Sequence, residues 1–381
     1  MRLHLPERAK VIARLNGAGK RQVSLPDRES LGNVFSLRPP TFFMRAVVTT
    51  RNGDVGAMKI EERPDPVPSK GEVLIRSKAS GLNFADILAR QGLYPDGPPK
   101  PCVMGYEVSG IVESVGDEVD RSFIGKPVIA MTRFGGQAEL VVAPVTQIFA
   151  KPETVTFEQG AAIPVNYLTA WALLVTMGGL KASESILIHN AGGGVGLAAL
   201  DIAKHIGATT YGTASAGKHE FLKARGLDHA IDYRNQDWLP VLKDLTKGRG
   251  VELVIDPLGG KSWKKSYRAL RATGRMGVFG MSTASASGIL GKLRAMKAIA
   301  QTPRFHPLGL MNRNKGVFGL NLGHMWGEGE KVARWTREIM GGVAEGWIRP
   351  HVDRAFPFAQ VADAHRYIEG RKNIGKVVLV P

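Results

Sequence analysis

The amino-acid sequence predicts an α/β chain in which a parallel-sheet domain is set into a β-rich one. Three observations carry that prediction. Residues 44–160 read as short strands punctuated by Gly and Pro, among them "GEVLIRSKAS", "SGIVESVG", "KPVIAM" and "QAELVVA". Over 161–322 the strands "ILIHN", "TTYGTA", "HAIDY", "VELVIDPLGG", "GRMGVFG" and "GVFGLNL" alternate with helical stretches, the rhythm of βαβ units. Residues 323–381 return to mixed character and finish on the strand "KVVLVP".

Taken in order, residues 1–43 show no sustained period and read as a loose extension, or as an upstream start assigned in error. The β-rich domain follows over 44–165, the parallel-sheet domain over 166–322, and a C-terminal return to the first domain over 323–381. The uncharged stretch "GAAIPVNYLTAWALLVTMGGL" (160–180) approaches membrane-spanning length, but Pro164, Asn166, Tyr167 and the Gly178–Gly179 pair interrupt it, so a buried helix is expected.

Composition narrows the function classes. A chain of 381 residues, 44% hydrophobic and 22% charged, has the balance of a globular protein. Its single cysteine, Cys102, excludes a disulfide framework, and no secretory signal is visible, so a cytoplasmic location is expected. Lys+Arg number 51 against 34 Asp+Glu, but the excess is local. The first 43 residues carry eight Lys/Arg and three Asp/Glu, and 288–316 carry six Lys/Arg and no acid. Such clusters, without interleaved aromatics or an RNA motif, argue against nucleic acid as a partner.

The segment "ILIHNAGGGVGLAALDIAK" (186–204) carries the chemistry. A β-branched run ends at glycines, and a helix-like stretch begins at once. Ala191, Gly193 and Gly196 keep the Gly/Ala-x-Gly-x-x-Gly spacing, with Gly194 and Val195 between them. Glycines let a ligand approach the main chain, and the unpaired N–H groups of the first helical turn attract an anion. The bland alternative is a glycine-rich turn with no ligand. The next strand, "TTYGTASAGKHEF", holds no acid before Glu220 to bond a ribose 2′-hydroxyl, whereas Ser215 and Lys218 stand where a 2′-phosphate would lie. The spacing therefore predicts NADP(H) rather than NAD, unless Lys218 is an ordinary solvated lysine.

The segments "GLNFADILARQGLYP" (81–95), "GYEVSGIVESVGDEV" (105–119), "AGGGVGLAALDIAK" and "GVELVIDPLGG" resemble the zinc-independent quinone oxidoreductase (zeta-crystallin-like) branch of the medium-chain dehydrogenases. "IPVNYLTAWALL" and "NKGVFGLNLGHMWGEGE" are closer to its vesicle amine transport protein-like subgroup. The resemblance runs over about 44–381 in order. It implies a GroES-like catalytic domain with an inserted Rossmann domain, a homodimer pairing through "KGVFGLN", and a quinone or enone as small-molecule substrate. Zinc members place Cys and then Gly-His-Glu in the first two segments; here Asn83 and Tyr106 stand at the Cys and His positions, so no metal is expected. The branch's glycine signature carries Gln where Asp201 sits, a departure expected to matter little.

Residue by residue, the resemblance implies that Asn83 and Asp86 line the nicotinamide and substrate side. Tyr94 would be proton donor or oxyanion partner, as in the related enoyl thioester reductases, unless it is a packed aromatic before a turn. Asn166 and Thr169 would pack near the nicotinamide, or else serve only the helix start. Tyr233 would flank the 2′-phosphate or the adenine, Arg371 would reach the same phosphate from the C-terminal side, and Phe279, Gly280 and Asn321 would edge the cofactor groove. Asp256 reads as a turn former and Tyr106 as filler for the vacated metal site. Residues 288–316 could place Ile289, Leu290, Leu293, Met296 and Ile299 on one helical face. A flap over the substrate cleft is preferred there to weak contact with an anionic membrane, because one short helix binds bilayers weakly. The activity implied is reduction of quinones or α,β-unsaturated carbonyls by NADPH. An enoyl thioester reductase is the near alternative, and a non-catalytic NADPH-binding protein with a membrane or RNA partner the distant one.

Overall fold

The computed structural model describes residues 42–285 and 288–381. The extension expected over 1–43 lies, up to residue 41, outside the described residues.

Two sheet systems build the chain. The first is antiparallel for the most part: Val352–Pro357, Lys376–Val380, Glu72–Leu82, Glu107–Val115, Pro127–Met131 and Ile148–Ala150 lie side by side, and Leu140–Pro144 also pairs with Glu72–Leu82. A small sheet of Met58–Pro64, Phe43–Thr49 and Cys102–Val103 accompanies it. Because the C-terminal strand Lys376–Val380 pairs with Glu72–Leu82, the chain leaves this sheet and comes back to it.

Between departure and return lies a six-stranded parallel sheet, Ser185–Ile188, Thr209–Ala214, His229–Asp232, Val251–Asp256, Leu270–Val278 and Gly316–Gly319. Its spatial order is third, second, first, fourth, fifth, sixth in chain sequence. That is the Rossmann order, whose switch point lies at the carboxyl end of the first strand. Ile186, Leu187 and Ile188 are fully buried, as a central strand covered on both faces requires. The fold class expected from the alternation is the one observed.

The helix Gly194–Ile206 follows that first strand. Ala198, Ala199 and Ala203 are fully buried, and these small residues let the helix sit close to its neighbours. It stops at Gly207, whose φ of 88° suits a residue without Cβ. Asp201, expected to matter little, is buried at the centre of a network. It accepts from Tyr167 Oη (2.8 Å), Arg225 Nη2 (2.6 Å) and Arg349 N (3.1 Å), so it ties this helix to Pro164–Trp171 and to the C-terminal return. The uncharged stretch around 160–180 forms the helix Pro164–Trp171 and a wider turn, Ala172–Thr176, with Leu168, Leu173 and Leu174 buried. Among the described residues no helix is long and apolar enough to cross a membrane.

Candidate active site

A cavity of about 1080 Å³ opens at the carboxyl end of the parallel strands and runs between the two sheet systems. Its volume exceeds the usual ~300–1,000 Å³ of a single small-molecule pocket.

One end is made of main chain. Gly193, Gly194, Val195 and Gly196 line it, with Gly194 opening the helix. A Cβ on Gly196 would fall 2.3 Å from the Asn190 carbonyl, and one on Gly194 2.6 Å from the Asn166 amide, so this loop closes only with glycine. Asn166 and Thr169, both buried, form the adjoining wall, and Asn166 Nδ2 donates to Ala162 O (3.0 Å). Gly375 N donates to Gly192 O (2.9 Å), which pins the C-terminal segment across the loop.

Further along, Tyr233 and Arg371 line the cavity, as do Phe279, Gly280 and Asn321. Burial pulls the Tyr233 phenol upward, but hydrogen bonds from Arg371 and Arg234 outweigh it and hold the group below its usual value. Two guanidiniums and a phenol thus meet just beyond the end of the third strand, His229–Asp232. Three residues expected on the cofactor do not reach the wall. Ala191 is fully buried within the turn, its N–H given to Thr213 O (3.1 Å). Ser215 ends the second strand outside the lining. Lys218 lies along Gly192 with its ammonium on the Asn373 carbonyl, and burial pushes that ammonium down.

The opposite end is made of side chains. Asn83 and Lys376 line it. Lys376, 3% exposed, donates to Asn83 Oδ1 (2.6 Å) and Glu107 Oε1 (2.5 Å). Asn83 Nδ2 donates to the same Glu107 oxygen (2.9 Å), and Glu107 Oε2 accepts from Val165 N (2.8 Å). Gly81 makes room for this cluster, since a Cβ there would stand 2.4 Å from Glu107 Oε1. Asp86, expected to face the nicotinamide, lies outside the lining. It is fully buried, and its two oxygens accept from Asn83 N (2.8 Å) and Gly105 N (3.0 Å), so it fastens a helix start to a neighbouring turn. Burial pushes its carboxyl up to about 7, against the pull of those N–H groups and Lys376.

At the mouth, the half-buried Tyr94 donates to Asn321 Oδ1 (3.3 Å), and Asn321 Nδ2 donates to Asp96 Oδ2 (2.9 Å). Burial, then the Asp96 carboxylate, push the Tyr94 phenol up. Asp256 does form its turn, accepting from Leu258 N (2.7 Å), but it also accepts from Ser266 Oγ (2.6 Å), which meets His189 Nε2 (3.0 Å). His189 lines the cavity. His189, Glu107 and Lys376 were missed. The one signal for Lys376 was a lone charge opening an apolar strand.

Residues 225–379 match the family described as Zinc-binding dehydrogenase, and 69–153 match the Alcohol dehydrogenase GroES-like domain. The chain is 41% identical over 345 residues to the Synaptic vesicle membrane protein VAT-1 homolog of Rattus norvegicus, covering 89% of this chain and 84% of that protein. The chain belongs to the medium-chain dehydrogenase/reductase superfamily, in its VAT-1-like group. Solved structures of the superfamily agree. Human VAT-1 homolog-like protein aligns with a TM-score of 0.78 at 31% identity, over 90% of this chain and 99% of that one. Escherichia coli quinone oxidoreductase complexed with NADPH aligns with 0.78 at 28% identity, over 88% and 100%. A mycobacterial protein complexed with NADPH aligns with 0.78 at 31% identity, over 89% and 100%.

One of the matched family descriptions implies zinc, and the residues here do not fit it. Zinc takes thiolate, imidazole and carboxylate donors. Asn83 offers an amide, Tyr106 a phenol, and both Glu107 oxygens are already committed, one of them to the Lys376 ammonium. No cluster of three His, Cys, Asp or Glu side chains able to hold a metal occurs among the described residues.

Proposed function

We propose that this chain reduces quinones or α,β-unsaturated carbonyls by hydride transfer from NADPH, without a metal. It is an oxidoreductase of the medium-chain superfamily and its cofactor is NADP(H), as the NADPH-bound neighbours support. The observation that carries the finer reading is the continuity of the cavity. A glycine-walled end with Tyr233 and Arg371 joins an end where Asn83 and Tyr106 stand at the metal-donor positions, beside Lys376 and Tyr94. Gly193–Gly196 would hold the pyrophosphate, Arg371 the 2′-phosphate, and Asn166 and Thr169 the nicotinamide side. When bound, the dinucleotide supplies the hydride. Without a Lewis acid, an acceptor that already delocalises the arriving charge is favoured over a simple alcohol. Tyr94, at the mouth, is the proton source: its half-buried hydroxyl lines the cavity and donates within the rim network at Asn321.

The helix Gly288–Ala300 packs through Ala295 and Ala298 near Leu93 and Met281, and Ile299 lines the cavity. This supports the role of a cover over the substrate. Its outer side exposes Leu293 and Met296, with Leu308 and Met311 beyond, in a segment free of acid; weak contact with an anionic bilayer is the second role assigned to it. Co-sedimentation with anionic liposomes, with and without 288–316, reads that role directly. The strand Gly316–Gly319 ends the parallel sheet, and we assign it to pairing within a homodimer. A cytoplasmic location belongs to the same reading. The enoyl thioester alternative draws on one neighbour, the CurK enoyl reductase, at 26% identity and TM-score 0.75.

Chelator-treated protein should oxidise NADPH in the presence of an ortho-quinone or a simple enone, and NADH far more slowly. Tight NADPH binding with no turnover of either acceptor would move the assignment to a thioester substrate or a binding protein.

A further inference from the structure

Two phenols, Tyr94 and Tyr106, line the end of the cavity away from the glycine loop, and their hydroxyls are in opposite situations. Tyr94 Oη donates to Asn321 Oδ1, and the direction of that bond is fixed from outside. Asp96 Oδ2 sits 2.9 Å from Asn321 Nδ2 and 2.9 Å from His324 Nε2. A carboxylate only accepts, so the Asn321 nitrogen must face Asp96 and its oxygen must face Tyr94. The same oxygen accepts from Gly323 N (3.0 Å). The Tyr94 proton is therefore engaged at the rim, in a half-exposed network.

The Tyr106 hydroxyl is buried and meets no hydrogen-bond partner. Its ring is held in place, edge-on to Tyr94 at 6.4 Å between centroids and tilted against Phe134 at 5.4 Å. A buried hydroxyl left unpaired costs stability, and phenylalanine would fill the same ring space without that cost. Burial, then the nearby Asp86 carboxyl, push the phenol well above its usual value, so it stays protonated at every working pH. Of the two hydroxyls, this one has an uncommitted hydrogen.

We propose that the Tyr106 hydroxyl holds the carbonyl or quinone oxygen of the substrate, as a catalytic residue with a role separate from that of Tyr94. The inference rests on the reductase reading above. For an enone, the hydride forms the new C–H bond at the β-carbon. The C=C pair moves to the α-carbon–carbonyl bond, and the carbonyl π pair settles on oxygen. That enolate oxygen accepts the Tyr106 hydrogen bond. The α-carbon then takes a proton from Tyr94, which recovers one from water, and the C=O bond re-forms. The enone gains two electrons and two hydrogens, and the dinucleotide is the reductant. The enclosed phenol stabilises charge where it develops, and the rim phenol delivers the proton.

The test compares wild type, Y106F and Y94F by two readouts. The first is turnover of a simple enone with NADPH. The second needs no turnover: binding of 4-nitrophenol, an oxyanion probe, to NADP⁺-loaded protein, followed by its absorbance. Y106F should lower kcat about 100-fold at unchanged affinity for NADPH. It should weaken 4-nitrophenol binding at least about tenfold, while Y94F leaves that binding within about twofold. Unchanged kcat and unchanged 4-nitrophenol binding in Y106F would overturn the proposal. Since the hydroxyl has no protein partner, Y106F should melt no lower than wild type; a fall of more than about 5 °C would contradict the premise. If wild type reduces no quinone or enone, yet Y106F still loses the probe, the reductase reading fails and Tyr106's hold on oxygen stands.

Discussion

The nucleotide end of the cavity is walled by main chain and small residues, whereas its floor is walled by side chains that hold one another across the fold. Gly193, Gly194 and Gly196 are neighbours in sequence and act through the absence of Cβ. Asn83, Glu107 and Lys376 are separated by up to 293 residues and act through an ion pair and its hydrogen bonds. A cradle of N–H groups binds a phosphate wherever a strand, a turn and a helix occur in that order. A buried ammonium exists only because a carboxylate and an amide from distant parts of the chain meet it. The two ends should therefore fail differently when damaged: the floor through stability and chemistry, the glycine end through affinity for the dinucleotide.

Breaking the floor should have the largest effect. Lys376→Met leaves the Glu107 carboxylate buried and unneutralised, and should cost about 3–5 kcal/mol of unfolding free energy by denaturant titration. Adding Glu107→Gln to it should recover part of that loss; no recovery would mean that Lys376 acts through packing alone.

Asp86 sharpens the same contrast through pH. Its folded value is raised to about 7 from an ordinary carboxylate value of 3.8, chiefly by burial. Between these values the unfolded chain ionises and the folded one resists, so wild type loses stability as pH rises from about 4 to about 7, and the loss is complete above that. Asp86→Asn removes the titration. The stability difference between the two should swing in favour of the variant by on the order of 4 kcal/mol across this window. A flat difference would show that the carboxyl ionises normally.

At the nucleotide end, Gly196→Ala drives a Cβ against the Asn190 carbonyl at 2.3 Å. NADPH affinity should fall about 100-fold, with melting of the ligand-free protein changed much less than in Lys376→Met, because the disturbance stays within the loop. The smallest effect is the most selective. Arg371→Ala should raise the Kd for NADPH about tenfold and that for NADH hardly at all, since only NADPH carries the 2′-phosphate. Lys218→Ala should discriminate less, its ammonium being spent on the Asn373 carbonyl.

Legibility from sequence follows the same divide. The βαβ rhythm and the glycine spacing announced the Rossmann order because strand, turn and helix signals are local. Tyr233 and Arg371 were placed by resemblance, and they line the cavity. Ala191, Ser215 and Lys218 were placed by spacing, and they stand behind it, because spacing along the chain does not say whether a side chain points at the ligand or at the neighbouring loop. The resemblance put Asp86 on the nicotinamide side with Asn83, but two backbone N–H groups claim it. Asp201 looked incidental, yet it gathers Tyr167, Arg225 and Arg349 from three segments. Lys376 showed only as a lone charge opening an apolar strand, for the same reason: its partners are 269 and 293 residues away.

The central claim is that the glycine end delivers a hydride to an acceptor resting on the metal-free floor. The direct measurement is transfer of deuterium from NADPH carrying deuterium at both C4 positions of the nicotinamide, by exhaustively chelated protein, to an enone, read by mass and NMR of the product. The account predicts one deuterium at the β-carbon, and no dependence on added zinc. Product without deuterium at that carbon, or turnover that returns only when zinc is restored, would contradict it.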